Sequence, residues 1–373
     1  MKTIPLFKVA MNSQVDEFLS ETLHSGFIGE GPRVKEFENL LRKQFNNHQC
    51  LSLNSGTGGL RLAIELIATK NRGNGRHKVI TSPLSCFATV APILTSRYDI
   101  VWADIQKDSL NIDPESIKEK IDEETFAILF VHWGGYPADL TEIKEIANSY
   151  NVPIIEDAAH TFKSTYRNSV IGDCHYSEYC MVSFQAIKFL TVGDGGALFV
   201  KDEEDYERGK LLRWFGINRD SPRIDMRCTE DIVQAGFKFQ MNDIAASIGI
   251  KNLELVDQNL LKTKRNVEKY KEALKDVPGI TLLQNKADRT SSNWIFTILV
   301  EDVIGFARVM GEAGIMVSKV HSRIDTHSCV QKYKTDFLPN LTEVDDKRIC
   351  IPGGWWVTEE DREYIIDSIK KGW

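Results

Sequence analysis

Apolar residues recur along this chain with two different periods, and the two alternate. Val34, Phe37, Leu41 and Phe45 fall three or four apart, as do Leu60, Ala63, Ile64 and Ile67, and later Ile143, Ile146, Ala147 and Tyr150. Each set marks one face of an amphipathic helix. Between and after them lie short apolar runs: Val79 to Thr81, Ile100 to Ile105, Phe126 to Trp133, Val152 to Asp157, Tyr179 to Phe184 and Gly196 to Val200. These read as strands. Pro114 to Ile121 reads as a helix, and Ser82 to Leu94 as a proline-flanked helix or loop. Strands alternating with helices predict an α/β unit with a mostly parallel sheet flanked by helices. Ligands of such sheets gather at the carboxyl ends of the strands.

The pattern changes further along. Asp202 to Trp214 is a charged helix, and Gly216 to Gly236 is a polar, irregular loop carrying Asn218, Arg219, Asp220, Arg223, Asp225 and Arg227. A loop of that length and charge suits a flap, a subunit contact or a substrate site. A long helix capped by Asn242 or Asp243 runs to about Leu274. Beyond Pro278, Ile280 to Leu283, Trp294 to Val300 and Ile315 to Val320 read as strands, and Val303 to Gly314 and Thr358 to Lys371 as helices. The expected organisation is a large α/β domain over 1–250, including the N-terminal segment. A linking helix and a smaller α+β domain follow over 251–373.

Composition narrows the function. The net charge of -7 argues against a nucleic-acid binder, although a local basic pocket for a small anion stays open. The seven cysteines are odd in number, widely spaced and without a C-x-x-C pair. That suits reduced thiols in a cytosol. The N-terminus lacks the apolar core of a signal peptide, and no apolar run is long enough to span a bilayer. The expectation is a cytoplasmic, soluble protein. His321, Arg323 and His327 share a loop without the spacing of a metal site, so no metal is expected.

Three stretches carry candidate chemistry. Ser55-Gly-Thr-Gly58 precedes a helix, whose free N–H groups and dipole favour an anion such as phosphate, although Ser and Thr cap many ordinary helices. Asp157 ends an apolar strand with His160 three residues on; the acid can cap the next helix or pair with a buried cationic nitrogen. Lys188 lies between two apolar strands, ahead of the turn Gly193-Asp-Gly-Gly196. It is either a surface lysine in a connecting turn or a desolvated amine able to form a Schiff base with an aldehyde. A phosphate cradle, an acid and a lysine are together what pyridoxal 5'-phosphate requires.

At this point the chain resembles the DegT/DnrJ/EryC1/StrS sugar aminotransferases, which are pyridoxal-phosphate enzymes of the aspartate-aminotransferase-like fold type I. The resemblance runs through Ile4-Pro-Leu6, Gly26-Phe-Ile-Gly-Glu-Gly-Pro32, Asn54-Ser-Gly-Thr57, Glu156-Asp-Ala-Ala-His160 and Ser183-Phe-Gln-Ala-Ile-Lys188. It continues through Gly193 to Gly196, Met241-Asn-Asp243 and Ile351-Pro352. It implies that Lys188 bonds the cofactor and moves the proton, that Asp157 binds the ring nitrogen, and that His160, where the family often has glutamine, contacts the ring hydroxyl. Gly56, Thr57 and Ser183 would hold the phosphate, with Asn242 reaching it from the neighbouring subunit of a homodimer. The loop from Arg213 to Arg227, with Arg219, Lys238 and His321, would border the sugar site.

The resemblance further implies a nucleotide-linked keto sugar as acceptor, L-glutamate as donor and pyridoxamine 5'-phosphate as the alternate cofactor form. The product would be an amino sugar for a surface polysaccharide, such as lipopolysaccharide, or another glycosylated product. One departure stands out. Where many members place an aromatic residue over the cofactor ring, this chain aligns Cys86, with Phe87 one residue late. Dehydratases of the family carry histidine in place of Lys188, so the lysine favours transamination over dehydration. Its presence, with Asp157, also disfavours a non-catalytic protein that keeps the fold for binding or regulation.

Overall fold

Thr125–Val131 is buried at every position and forms a strand inside a seven-stranded sheet. Burial on both faces is why this run shows no alternation. In this computed structural model, which describes residues 3–71, 73–222, 231–335 and 337–373, the sheet order is Cys50–Leu53, Gly196–Val200, Tyr179–Ser183, Ile154–Asp157, Thr125–Val131, Lys78–Thr81, Asp99–Trp102. Gly196–Val200 runs antiparallel to both its neighbours, and the remaining strands are parallel to one another. The α/β class read from the sequence holds, with a mixed rather than purely parallel sheet.

The sheet is covered on both faces. Tyr179 and Met181 point into one core with Leu60, Ile64 and Ile67 of the Gly56–Lys70 helix. Cys180 and Val182 point into the other with Phe37, Leu41 and Phe45 of the Pro32–Phe45 helix. The strand's two-residue period and the helices' 3.6-residue period thus meet in packing.

The Asp243–Leu274 helix leads to a second sheet, ordered Ile280–Leu282, Phe296–Val300, Arg348–Ile351 and antiparallel throughout. Tyr270 near the helix end donates a 2.8 Å hydrogen bond to the Pro352 carbonyl, tying helix to sheet. At the helix start Asn242 accepts from Ala245 N at 2.8 Å. The adjoining Asp243 carboxylate accepts from the backbone of Gly31, Arg33 and Val34, which fixes the glycine-rich loop ahead of the Pro32–Phe45 helix.

Five described strands escape the sequence pattern. Thr165–Tyr166, Ser169–Val170 and Arg289–Thr290 have two residues each and pair in a small third sheet. Cys50–Leu53 has only four residues, all buried. Arg348–Ile351 begins with a fully buried arginine, which masks an apolar run. One expectation fails: Ile315 to Val320 is no strand. It makes only isolated bridges, Ile315 to Ile4 and Ser318 to Cys350, and Val320 has φ 65. A left-handed backbone breaks a ladder and is rare for a β-branched residue. Of the charged loop, Arg223, Asp225 and Arg227 lie outside the described residues. Among the described residues no helix is long and apolar enough to cross a membrane.

Candidate active site

A cavity of about 340 Å³ opens where several strands end and the Gly56–Lys70 helix begins. Val131, Asp157 and Ser183 enter it from the carboxyl ends of three neighbouring parallel strands. The helix N-terminus brings Ser55, Gly56 and Thr57. Ser55 caps that helix by accepting from Gly58 N at 3.0 Å. A Cβ on Gly196, on the adjoining strand, would stand 2.7 Å from Gly56 N and 2.8 Å from its Cα. Only glycine lets the strand lie this close to the helix start.

Asp157 is buried on the cavity wall. Its Oδ2 accepts from the Thr89 hydroxyl at 2.7 Å and its Oδ1 from Ala159 N at 3.0 Å. Burial pushes its pKa above the usual carboxylate range, opposed by those two bonds and by Lys188 and His132. Lys188 is half-buried and lines the cavity. Burial pulls its amine down to about 7, against the opposing effects of Asp157 and Cys86. An amine near 7 is substantially neutral at physiological pH and can serve as nucleophile and proton carrier.

His160 lies in a turn rather than a helix and still lines the same cavity as Asp157. Its Nδ1 accepts from Gly134 N at 3.4 Å. Burial, with Lys188 and His321 nearby, holds the ring well below the ordinary histidine pKa. The neutral imidazole with Nδ1 accepting carries its proton on Nε2, as a donor. Gly134, at φ 65, adopts the left-handed backbone this approach uses. His321 stacks parallel to His160, centroids 5.6 Å apart and planes 5° apart. Burial lowers it to about 4, and its Nε2 is buried without a hydrogen-bond partner.

Of the residues singled out in the sequence, Gly56, Thr57, Cys86, Asp157, His160, Ser183, Lys188 and His321 line this one cavity. Asn242, Arg219 and Lys238 do not. Asn242 is exposed at its helix cap. Arg219 and Lys238 both sit over the Trp214 ring, at 4.5 and 3.4 Å, and Arg219 pairs with Glu30. Cys86 caps the Phe87–Thr95 helix and lines the cavity, whereas Phe87 is 40% exposed and turns edge-on to His327. No aromatic side chain therefore enters from this helix start.

Sequence reasoning missed Thr89 and Trp294. Thr89 lies three residues after Cys86 in the stretch read as a helix or loop, one turn along from the departure noted there. Trp294 reads as the first apolar residue of a strand, and nothing local sets it apart; the strand itself begins at Phe296.

The sequence profile of the DegT/DnrJ/EryC1/StrS aminotransferase family matches residues 10–370. The crystal structure of AtS13 from Actinomadura melliaura is 39% identical, with a TM-score of 0.96, covering 100% of both chains. That of the sugar aminotransferase CalS13 from Micromonospora echinospora is 37% identical, with a TM-score of 0.94, covering 99% of this chain and 100% of that one. The spore coat polysaccharide biosynthesis protein SpsC of Bacillus subtilis is 27% identical over 94% of this chain and 92% of its own.

Proposed function

The chain belongs to the DegT/DnrJ/EryC1/StrS aminotransferase family, and on that footing we propose that it is a pyridoxal-phosphate-dependent transaminase acting on a nucleotide-linked keto sugar, with L-glutamate as donor. The convergence of Lys188, Asp157 and a glycine-opened helix N-terminus on one cavity carries the reading.

The residues present fit the cofactor. Gly56 and Thr57 begin the helix on the cavity wall, where first-turn N–H groups have no intrahelical partner and would offer themselves to a phosphate. Thr57 and Ser183 add hydroxyls beside it. Asp157 would accept from the ring nitrogen, its carboxylate held by Thr89 and Ala159 N–H. His160, with Nδ1 accepting from Gly134, would donate from Nε2 to the ring oxygen. When bound, pyridoxal phosphate supplies the aldehyde that takes up the amino group and the ring that draws electrons from the adjoining carbon. Lys188, with its amine lowered to about 7, would be the group that carries the proton beside that carbon.

Asn242 reaches the phosphate of a second copy, so the working unit is a homodimer. His321 serves the sugar-bearing substrate from the cavity wall, and Arg219 and Lys238, outside this cavity on Trp214, would serve its more distant part. The six described cysteines are unpaired, in keeping with work in the cytoplasm. The amino sugar formed serves a surface polysaccharide or another glycosylated product.

The test is the visible spectrum of the protein with added pyridoxal phosphate, before and after L-glutamate, then with keto-sugar nucleotides. A band that glutamate bleaches and the keto sugar restores supports the reading. A protein that develops no band overturns it.

A further inference from the structure

Lys188 has a neighbour that none of these roles uses. Its Nζ stands 3.4 Å from the centroid of the Trp294 ring, within range for a π face to attract a cation. The indole is fixed in place. Its Nε1–H donates to the Ile187 carbonyl, beside the lysine, at 3.0 Å. His160 stacks on it with centroids 4.1 Å apart and planes at 21°. Phe7 stacks on it at 5.1 Å and 26°. At 6% exposure, the ring cannot turn aside without losing all three contacts.

The groups facing the amine are few. Asp157 approaches from its strand end, Cys86 from its helix cap, and His160 and His321 from their loops. Asp157 already accepts from Thr89 and Ala159 N, and both histidines are held neutral. Among the described residues none hydrogen-bonds Lys188 Nζ. An ammonium drawn into a cavity without protein hydrogen bonds is costly, and the indole face is what the fold sets against it.

We propose that Trp294 is a positioning residue for Lys188, its π face holding the free ammonium of the lysine inside the cavity in place of a hydrogen-bonding carboxylate. This rests on the reading of Lys188 as the reacting amine. Trp294 leads directly into the Phe296–Val300 strand, so the contact also ties the amine to the second sheet.

Competitive labelling with acetic anhydride tests this. The full chain is first freed of bound aldehyde with hydroxylamine. Acetylation of Lys188 is then measured by peptide mass spectrometry as a function of pH, against the exposed Lys262 as standard. Losing the ring removes an attraction for the charged form only, so the labelling midpoint drops. Trp294→Leu lowers it by roughly one unit, a tenfold change in proton affinity, and Trp294→Phe by less. Phe7→Leu, which touches the indole but not the amine, leaves it in place.

An unmoved midpoint in Trp294→Leu overturns the inference. So does a rise, which would make the indole a water shield, and so does an equal drop in Phe7→Leu, which would mean general loosening. Cofactor binding does not enter this measurement. A protein that shows the shift yet never develops a visible band with pyridoxal phosphate upholds the role of Trp294 while sinking the functional reading.

Discussion

Thr89 donates its hydroxyl proton to Asp157 Oδ2 at 2.7 Å, across the base of the cavity. Ser85 in turn donates to Thr89, so one carboxylate oxygen ends a chain of two hydroxyls. Burial works against the charge on Asp157, and this chain works for it.

The balance can be shifted at either end. Because burial raises the Asp157 pKa in the folded protein, the native state binds its proton more tightly than the unfolded chain. Stability therefore falls as pH rises from the ordinary carboxyl range through the folded pKa. Asp157→Asn removes that penalty and is expected to raise the Tm of the cofactor-free protein at pH 7, an advantage that fades near pH 3. The same variant loses its grip on pyridoxal phosphate. Thr89→Val acts oppositely on stability, costing about 1–3 kcal/mol at neutral pH through loss of a hydrogen bond to a buried charge. Thermal melts across pH, with and without cofactor, check both; a lower Tm for Asp157→Asn at pH 7 contradicts the account.

Lys188 has the reverse sign. Its folded pKa of about 7 lies below the ordinary lysine value of 10.5. The unfolded chain binds the extra proton, so the lysine costs stability fully below pH 7 and progressively less up to about 10.5. Lys188→Met is expected to melt higher than the parent at pH 6 and equally at pH 11, and to have no transaminase activity. In the parent protein the rate of combination with pyridoxal phosphate should climb through about pH 7 and then level off. Stopped-flow absorbance reads that profile; a midpoint near 10 would mean the amine is not desolvated as described.

Gly196→Ala pushes a methyl group against the Gly56 backbone. Neither the strand nor the helix start can yield locally, so overpacking should cost roughly 1–3 kcal/mol. The larger effect falls on the helix N–H groups offered to phosphate, and affinity for pyridoxal phosphate should drop at least tenfold. Equilibrium dialysis against the cofactor, beside a denaturant melt, separates the two effects.

Arg348 is fully buried and donates to the carbonyls of Lys319 and His321 and to Asp345. It fastens the left-handed turn at Val320 that presents His321 to the cavity. Arg348→Met takes a donor from the Asp345 carboxylate and from the Lys319 and His321 carbonyls, leaving Asp345 to Lys319 and the Lys319 carbonyl to His321 N–H, and roughly 1–3 kcal/mol of stability should be lost. His321→Asn, which keeps the turn, should leave the melt nearly unchanged while altering the KM for the sugar substrate. Comparing the two variants tells a structural role of the turn from a binding role of the histidine.

What the sequence determined by itself is local. The helix that starts at Gly56 was legible because its cap and its apolar period lie within a dozen residues. Asp157 and Lys188 were legible as candidates because charge at the end of an apolar strand is costly unless it serves some purpose. The alternation of elements sufficed for the α/β class. Only tertiary structure decided which of these meet. Thr89 and Trp294 reach the cavity from segments far apart in the chain, and through-space contacts leave no periodicity behind. The Cys50–Leu53 strand was too short and too buried to alternate, and Arg348 hid its own strand because its charge is satisfied by distant carbonyls. Arg219 and Lys238 looked equivalent to His321 in sequence. Packing on Trp214 holds the two cations outside the cavity, and a left-handed turn carries the histidine in.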